Sequence, residues 1–330
     1  MKWNKQGAGW PWRRAAGQLP GALGLARDAR GWHMVQLARE LDGGVRLLAA
    51  SRLGPVAAGD PESMGADSLR LQDWMADCAC VRESRVVAGL PRSSVRVWRM
   101  TAPAGLEEAD LEHMARVDAQ IRHGLLPDVW QLDFGVVPAS AEGGEVELLV
   151  AAAPRAEVEG WQQVLGGAGL KLGVLEVAAH AARAAALRAW RVQAGEVAGR
   201  HGIVVWTEGG ASLLWMLDGA LLAEQALEVE ALADLAGVLG HACRGHVTSL
   251  RGIWLAGDEA AEEALMQQVR EALHGGVAGT EVSRVSVQWL HPWAGMRVED
   301  AGLQRLSAIE ASGWWAACGL ALRGVDAWSR

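Results

Sequence analysis

The sequence predicts an α/β protein of two lobes, with a small α/β subdomain inserted in the first. Three observations lead there. A meander of three short strands, then a helix, a strand and more helix, begins at residue 22 and again at residue 202. The segment near 92–154 interrupts the first copy with strands and a helix of its own. Hydrophobic residues make up 51% and charged residues 21% of the 330, which supplies a real core for one large domain or two modest ones. The repeat is one of architecture, without a residue-level repeat. Residues 1–19 then form a basic, Trp-containing tail, 20–200 the first lobe, and 201–330 the second. The last helix is expected to return to the first lobe.

Strands are expected at Ala22–Leu25, Trp32–Leu37 and Val45–Ala50, and Leu41-Asp42-Gly43-Gly44 has hairpin chemistry. Leu69, Leu71, Trp74 and Met75 mark an amphipathic helix. Arg85–Leu90 is an apolar run of the buried, parallel kind, closed by Pro91. Val95–Met100 alternates with period two. A helix opens at Leu106 and runs to about Gly124, with acids in its first turn and Arg122 and His123 in its last, as the helix dipole favours. Strands near 131–137 and 145–153 follow, then a helix at 155–165, a strand at 170–177 and an Ala-rich helix at 178–194. In the second lobe strands are expected at 202–207, 211–217, 220–225, 252–256 and 284–289. Helices are expected at about 228–244, 260–273 and 300–323.

The net charge of −8 argues against a general nucleic-acid binder, which needs a basic face. The tail is the exception, with Lys2, Lys5, Arg13 and Arg14 among Trp3, Trp10 and Trp12. It suits an anionic membrane surface or an acidic partner, although a disordered tail is the simpler expectation. No apolar run of 18 residues occurs, and no secretion signal pattern. Cys78, Cys80, Cys243 and Cys318 are too scattered for a disulfide framework and are expected as reduced thiols. His241 and His246, five apart, fall on different faces of a helix, so no metal is expected there. The 17 tryptophans, beside one Phe and no Tyr, are expected mainly to fill core volume.

Residues 86–138 carry a connected pattern: Leu90-Pro91 closing a strand, the strand Val95–Met100, a turn at Pro103, an acid-opened helix Leu106–Arg122, then Pro127 and the strand aspartate Asp133. This resembles the corresponding part of PilM-like type IV pilus assembly proteins. The likeness continues through 147–183 and resumes at the Gly-Leu-Ala-Leu-Arg-Gly of 319–324. It implies an actin-like (ribonuclease H-like) fold and a cytoplasmic scaffold peripheral to the inner-membrane platform. Its implied partners are the short N-terminal tail of a PilN-like single-span membrane protein and other platform or motor proteins.

The resemblance also implies two phosphate loops, and both depart from pattern. Where Gly-Leu-Asp-Ile-Gly is expected the chain has Gly24-Leu25-Ala26-Arg27-Asp28. Where Val-Asp-Ile-Gly is expected, alignment on Asp218-Gly219 gives Val205-Trp206-Thr207-Glu208, followed by Gly209. The adenosine pattern Ser-Gly-Gly is half kept as Ala256-Gly257-Asp258. The Mg²⁺-orienting carboxylates are replaced by Ala26 and Trp206, and Asp28, Glu208 and Asp258 would face a triphosphate. Each like-charge contact costs on the order of 1 kcal/mol or more in a partly dry cleft. No cofactor, ATP and Mg²⁺ included, and no catalytic residue is therefore expected. Arg27 and Arg30 could hold an anion, but a solvated turn is the simpler expectation.

The better functional region is the insert. The resemblance places the partner's tail between insert and first lobe, with Pro91, Val95, Val97 and Trp98 on one wall and the helix around Met114 and Val117 on another. Two other readings compete. An actin-like ATPase would need the missing carboxylates. The cytoplasmic lobe of a type II secretion platform protein would continue into a membrane span, whereas this chain stops at Ser329-Arg330.

Overall fold

The computed structural model describes residues 21–54, 63–77, 84–137, 144–195, 198–207, 210–227, 234–243, 249–257, 263–274 and 285–326. The basic tail, Cys78, Cys80, Glu208, Gly209, His246 and Asp258 lie outside them. No helix among the described residues is long and apolar enough to cross a membrane.

The first meander is β1 (Gly21–Asp28), β2 (Gly31–Arg39) and β3 (Val45–Leu53), joined antiparallel. After α1 (Ser63–Asp77), β4 (Arg85–Leu90) pairs parallel with β1. β8 (Leu172–Val177) lies beyond β4. The far edge is β14 (Arg297–Val298), so the sheet order is β14-β3-β2-β1-β4-β8. In the second half β9 (Arg200–Thr207), β10 (Gly210–Leu217) and β11 (Ala220–Leu227) repeat the meander. With β12 (Leu250–Gly257) and β13 (Ser286–Trp289) they form the order β11-β10-β9-β12-β13.

Two helices lie between these sheets. α4 (Ala178–Ala194) packs on β9 and α8 (Trp315–Asp326) packs on β1, β2 and β4, while the pair also pack on each other. The layer is thin because its residues are small. Ala181, Ala182, Ala185, Ala186 and Ala189 of α4 are all buried. A Cβ on Gly319 would stand 1.9 Å from the Ala181 carbonyl oxygen, and one on Gly24 would stand 2.0 Å from that of Ala317. The alanine-rich helix is thus a steric requirement of close crossing. The outer face of the first sheet is covered by α1 and α3 (Arg155–Gly167), that of the second by α5 (Leu235–Cys243) and α6 (Glu263–His274).

The insert is a separate three-stranded sheet, β5 (Arg96–Pro103), β7 (Glu145–Pro154) and β6 (Trp130–Val137), in the order β5-β7-β6. Its helix α2 (Glu108–His123) covers a core of Met100, Leu111, Leu132, Leu148 and Val150. Gly124, at φ 65°, ends α2 in the left-handed cap that glycine favours.

The single final helix expected over 300–323 is broken. α7 (Ala301–Arg305) is capped by the Asp300 side chain, which accepts from the Leu303 N–H. The chain leaves the helix at Leu306, extended at ψ 129°. Ser307 and Glu310 then cap each other. Glu310 Oε2 accepts from the Ser307 N–H at 2.7 Å, and Ser307 Oγ accepts from the Glu310 N–H at 3.2 Å. That is the Ser-x-x-Glu capping box, a signal present in the sequence. α8 begins only after a 3₁₀ turn at Ser312–Trp314. The two-residue β14 is too short to leave a periodic signal.

Candidate functional site

Two depressions are relevant: a crevice between the large sheets and a groove beside the insert. The crevice lies where β1, β9 and α8 converge. It is lined by Ala26, Asp28, His33, Pro91, Thr207 and Gly313 among others, and its water-accessible cavity is about 30 Å³. A small-molecule site usually needs several hundred Å³.

Asp28 ends β1 with its carboxylate turned into this crevice, and the carboxylate is not bare. His33 Nε2 lies 3.0 Å from Oδ1. The Arg30 backbone N–H donates to Oδ1 at 2.8 Å, and its guanidinium reaches Oδ2 at 2.5 Å. Burial alone would raise the carboxyl pKa. The hydrogen bonds and charges of His33 and Arg30 outweigh it and hold the group well below the usual carboxylate range. Arg27 is engaged too, 3.2 Å from Asp67 Oδ2 and over the Trp32 ring at 5.5 Å. Both arginines near the first loop therefore have acidic partners.

The second loop is corrected by one residue. Strand side chains alternate, so a slip of one exchanges the faces. Ala26 joins the core between the sheets, while Trp206 joins the outer core under α5 and α6. Trp206 packs edge-on to Trp289 with centroids 5.4 Å apart. A Cβ on Gly257 would strike its indole at 2.2 Å. The residue of β9 that does face the crevice is Thr207. Thr207, not Trp206, thus stands opposite Ala26, and neither carries a carboxylate. Gly257 serves the packing of Trp206.

The groove is much larger, about 770 Å³, between the insert sheet and the ends of β4, β8 and α4. Val97, Leu149 and Ala151 supply its apolar floor, and Phe134 and Val136 one side. Leu106, just before α2, and Leu111, near its start, flank that side, and Leu90 and Val177 form the first-lobe wall. Large apolar side chains here are open to solvent: Val136 is 53% exposed, Leu149 38% and Leu106 36%. Polar groups stand at the margin, including Glu108, Asp133, His180 and an Arg323–Glu176 ion pair at 3.7 Å. Burial, then the nearby Arg183 charge, lowers the His180 pKa, so the imidazole is neutral near pH 7.

Of the expected groove residues only Val97 lines it. Val95 is buried in the first-lobe core with Leu90 and Val158. Trp98 points to the opposite face of β5, where its Nε1–H donates to Asp118 at 2.9 Å and its ring packs on His123. Neighbouring strand residues point to opposite faces, and here Val97 takes the groove side and Trp98 the side under α2. Met114 packs on the insert core, and Val117 is exposed on α2. Pro91 lines the crevice and a small pocket with Trp32 and Trp161. Phe134 and Leu149 were missed, although β6 holds the chain's one phenylalanine.

Cys243 is buried, its thiol pushed up to about 12 by burial, whereas His241 is exposed. Among the described residues no three His, Cys, Asp or Glu side chains cluster as a metal site would require.

A sequence model of the family described as type IV pilus assembly protein PilM matches residues 75–212. A chain of a PilM–PilN type IV pilus biogenesis complex superposes with a TM-score of 0.65 at 21% identity, over 92% of this chain and 98% of that one. A protein of actin-like ATPase fold and unknown function from Bacteroides thetaiotaomicron gives 0.46 at 10% identity, over 81% and 90%. The cytoplasmic domain of EpsL, an inner-membrane component of the Vibrio cholerae type II secretion system, gives 0.40 at 11%, over 80% and 98%. The last two are too distant to add to the argument. No curated protein sequence matches significantly. Residues 75–212 are thus similar to the PilM family, and the chain shares the α/β fold of the PilM–PilN complex chain, as the sequence resemblance implied.

Proposed function

We propose that this PilM-like chain is a non-catalytic scaffold of a type IV pilus platform, and that its groove holds the N-terminal cytoplasmic tail of a PilN-like membrane protein. The observation that carries the reading is the open apolar groove, in which Val136, Leu149 and Leu106 are solvent-exposed. An exposed apolar depression of this size marks a binding surface. The PilM–PilN complex among the structural neighbours makes a PilN-like tail the natural occupant. Holding such a tail would keep the chain at the inner face of the membrane.

The non-catalytic part rests on the crevice. Ala26 and Thr207 offer no Mg²⁺-orienting carboxylate, and the cavity there is about 30 Å³. A triphosphate would also have to displace the Asp28 carboxylate from its partners or bear its charge.

Calorimetry with a synthetic peptide of the tail, from the PilN-like protein of the same genome, tests the first part. Saturable binding is expected, lost in Leu149→Glu with the thermal melt unchanged. Equal binding by wild type and variant would overturn the groove as the site. Mg²⁺-ATP is expected to leave the melting temperature unmoved, and a saturable rise with hydrolysis would restore the ATPase reading.

A further inference from the structure

The groove follows the edge of a strand rather than the face of a sheet. Asp133, Phe134, Gly135 and Val136, four consecutive residues of β6, all line it. One face of a strand would contribute alternate residues only, so both sides of β6 must open into the groove. In the order β5-β7-β6, β6 is an outer strand, paired on one side only among the described residues.

The backbone of that edge is turned outward at alternate residues. The Phe134 N–H donates to the Asp133 carboxylate at 3.0 Å, and the Trp130 N–H donates to the Leu126 carbonyl, away from β7. An antiparallel strand turns the N–H and C=O of one residue to the same side. Phe134 and Val136 therefore present both groups to the groove. The opposite edge strand, β5, carries Arg96 and Arg99, the charges that usually discourage pairing. The groove edge of β6 carries a single charge, Asp133, ahead of the uncharged Phe134-Gly135-Val136.

We propose that the groove takes its occupant as a fourth strand added to the open edge of β6. The proposal rests on the tail-binding reading and specifies its mode. Side chains of an added strand would point alternately toward Leu106 and Leu111 and toward the first-lobe wall at Leu90 and Val177. Both directions are apolar, so the occupant is an extended run of about four residues that are apolar in succession, rather than alternating with polar ones. Its main-chain N–H groups are needed at every second position. The Asp133 carboxylate holds the Phe134 N–H until an incoming carbonyl replaces it.

The experiment uses the full chain and the same tail peptide, N-methylated at one residue at a time. Affinity is expected to fall tenfold or more at every second residue and to change less than twofold at those between. Hydrogen exchange at the Phe134 and Val136 amides is expected to slow in the complex. Binding that perturbs the Val97 and Leu149 methyl resonances, with a flat scan and unprotected amides, would overturn strand addition and leave the groove reading standing. No binding of the unmodified peptide would overturn the groove reading and strand addition with it.

Discussion

Asp28 and His33 meet across the β1–β2 hairpin at 3.0 Å, closing the floor of the crevice with a carboxylate–imidazole pair. Asp28 ends β1 and His33 sits on β2, where it pairs with Ala26. The turn that joins β1 to β2 thus holds an anion of its own, the Asp28 carboxylate, between Arg30 and His33. The arrangement makes the closure of the crevice a property of the folded chain.

Removing the imidazole should therefore weaken the fold. A hydrogen bond to a charged group contributes about 1.5–3 kcal/mol. His33→Ala should cost roughly that and lower the melting temperature by several degrees, since ~1 kcal/mol shifts a large domain by about 2–4 °C. Denaturant unfolding monitored by tryptophan fluorescence measures it. An unchanged midpoint would show that the pair contributes nothing to stability.

The interlobe helix crossing gives a second prediction, with opposite signs at two glycines. Gly319→Ala would place a methyl 1.9 Å from the Ala181 carbonyl, where backbone rather than a flexible side-chain end must yield. Overpacking of this kind costs about 1–3 kcal/mol or more. Gly237, inside α5, has no atom within 4 Å of an added Cβ. Gly237→Ala should raise stability by about 0.5–1 kcal/mol, the difference in helix propensity. Urea midpoints of the two variants check both signs.

The period-two pattern of β5 separates stability from binding. Trp98→Phe loses the indole bond to Asp118 and should cost about 1 kcal/mol. It should leave the affinity for the tail peptide unchanged, because Trp98 belongs to the face of β5 under α2. A Val97→Glu change should do the reverse. Parallel calorimetry and melts on both variants decide it, and a loss of tail binding in Trp98→Phe would contradict the assignment of faces.

Much of this architecture was legible because it is written in local signals. The two meanders, the buried run Arg85–Leu90 and the acid-opened helix α2 follow from hydrophobic period and charge alone. What escaped depends on one-residue register or on distant packing. Placing Trp206 rather than Thr207 at the crevice was a slip of one, which no composition argument detects and which the alternation of faces in β9 corrects. The groove between insert and first lobe was expected, but most of its lining escaped because its walls come from segments far apart, with Val97, Leu149 and Val177 on three separate strands. Strand alternation does set Trp98 on the face of β5 opposite to Val97. The capping box at Ser307 and Glu310 was readable, but the apolar residues on either side masked it as one long helix.

Two half-buried histidines, His180 and His291, contribute to the acid limb of stability. Burial lowers the pKa of His180, and likewise that of His291, despite its ring hydrogen bond to the Leu306 carbonyl. A folded-state value below the ordinary 6.5 means the unfolded chain binds more protons as pH falls. Stability from these groups is then complete above about pH 6.5 and is lost as pH drops below it. Asp28 acts lower down. Its depressed carboxyl stabilises the fold above the unfolded value of 3.8, and that contribution is lost only as pH falls beneath it. Melting temperatures measured from pH 8 to 5 should therefore decline before any carboxylate of this kind titrates. His291→Gln, which cannot ionise, should flatten part of the decline, and an identical slope in wild type and variant would exclude His291 as a source.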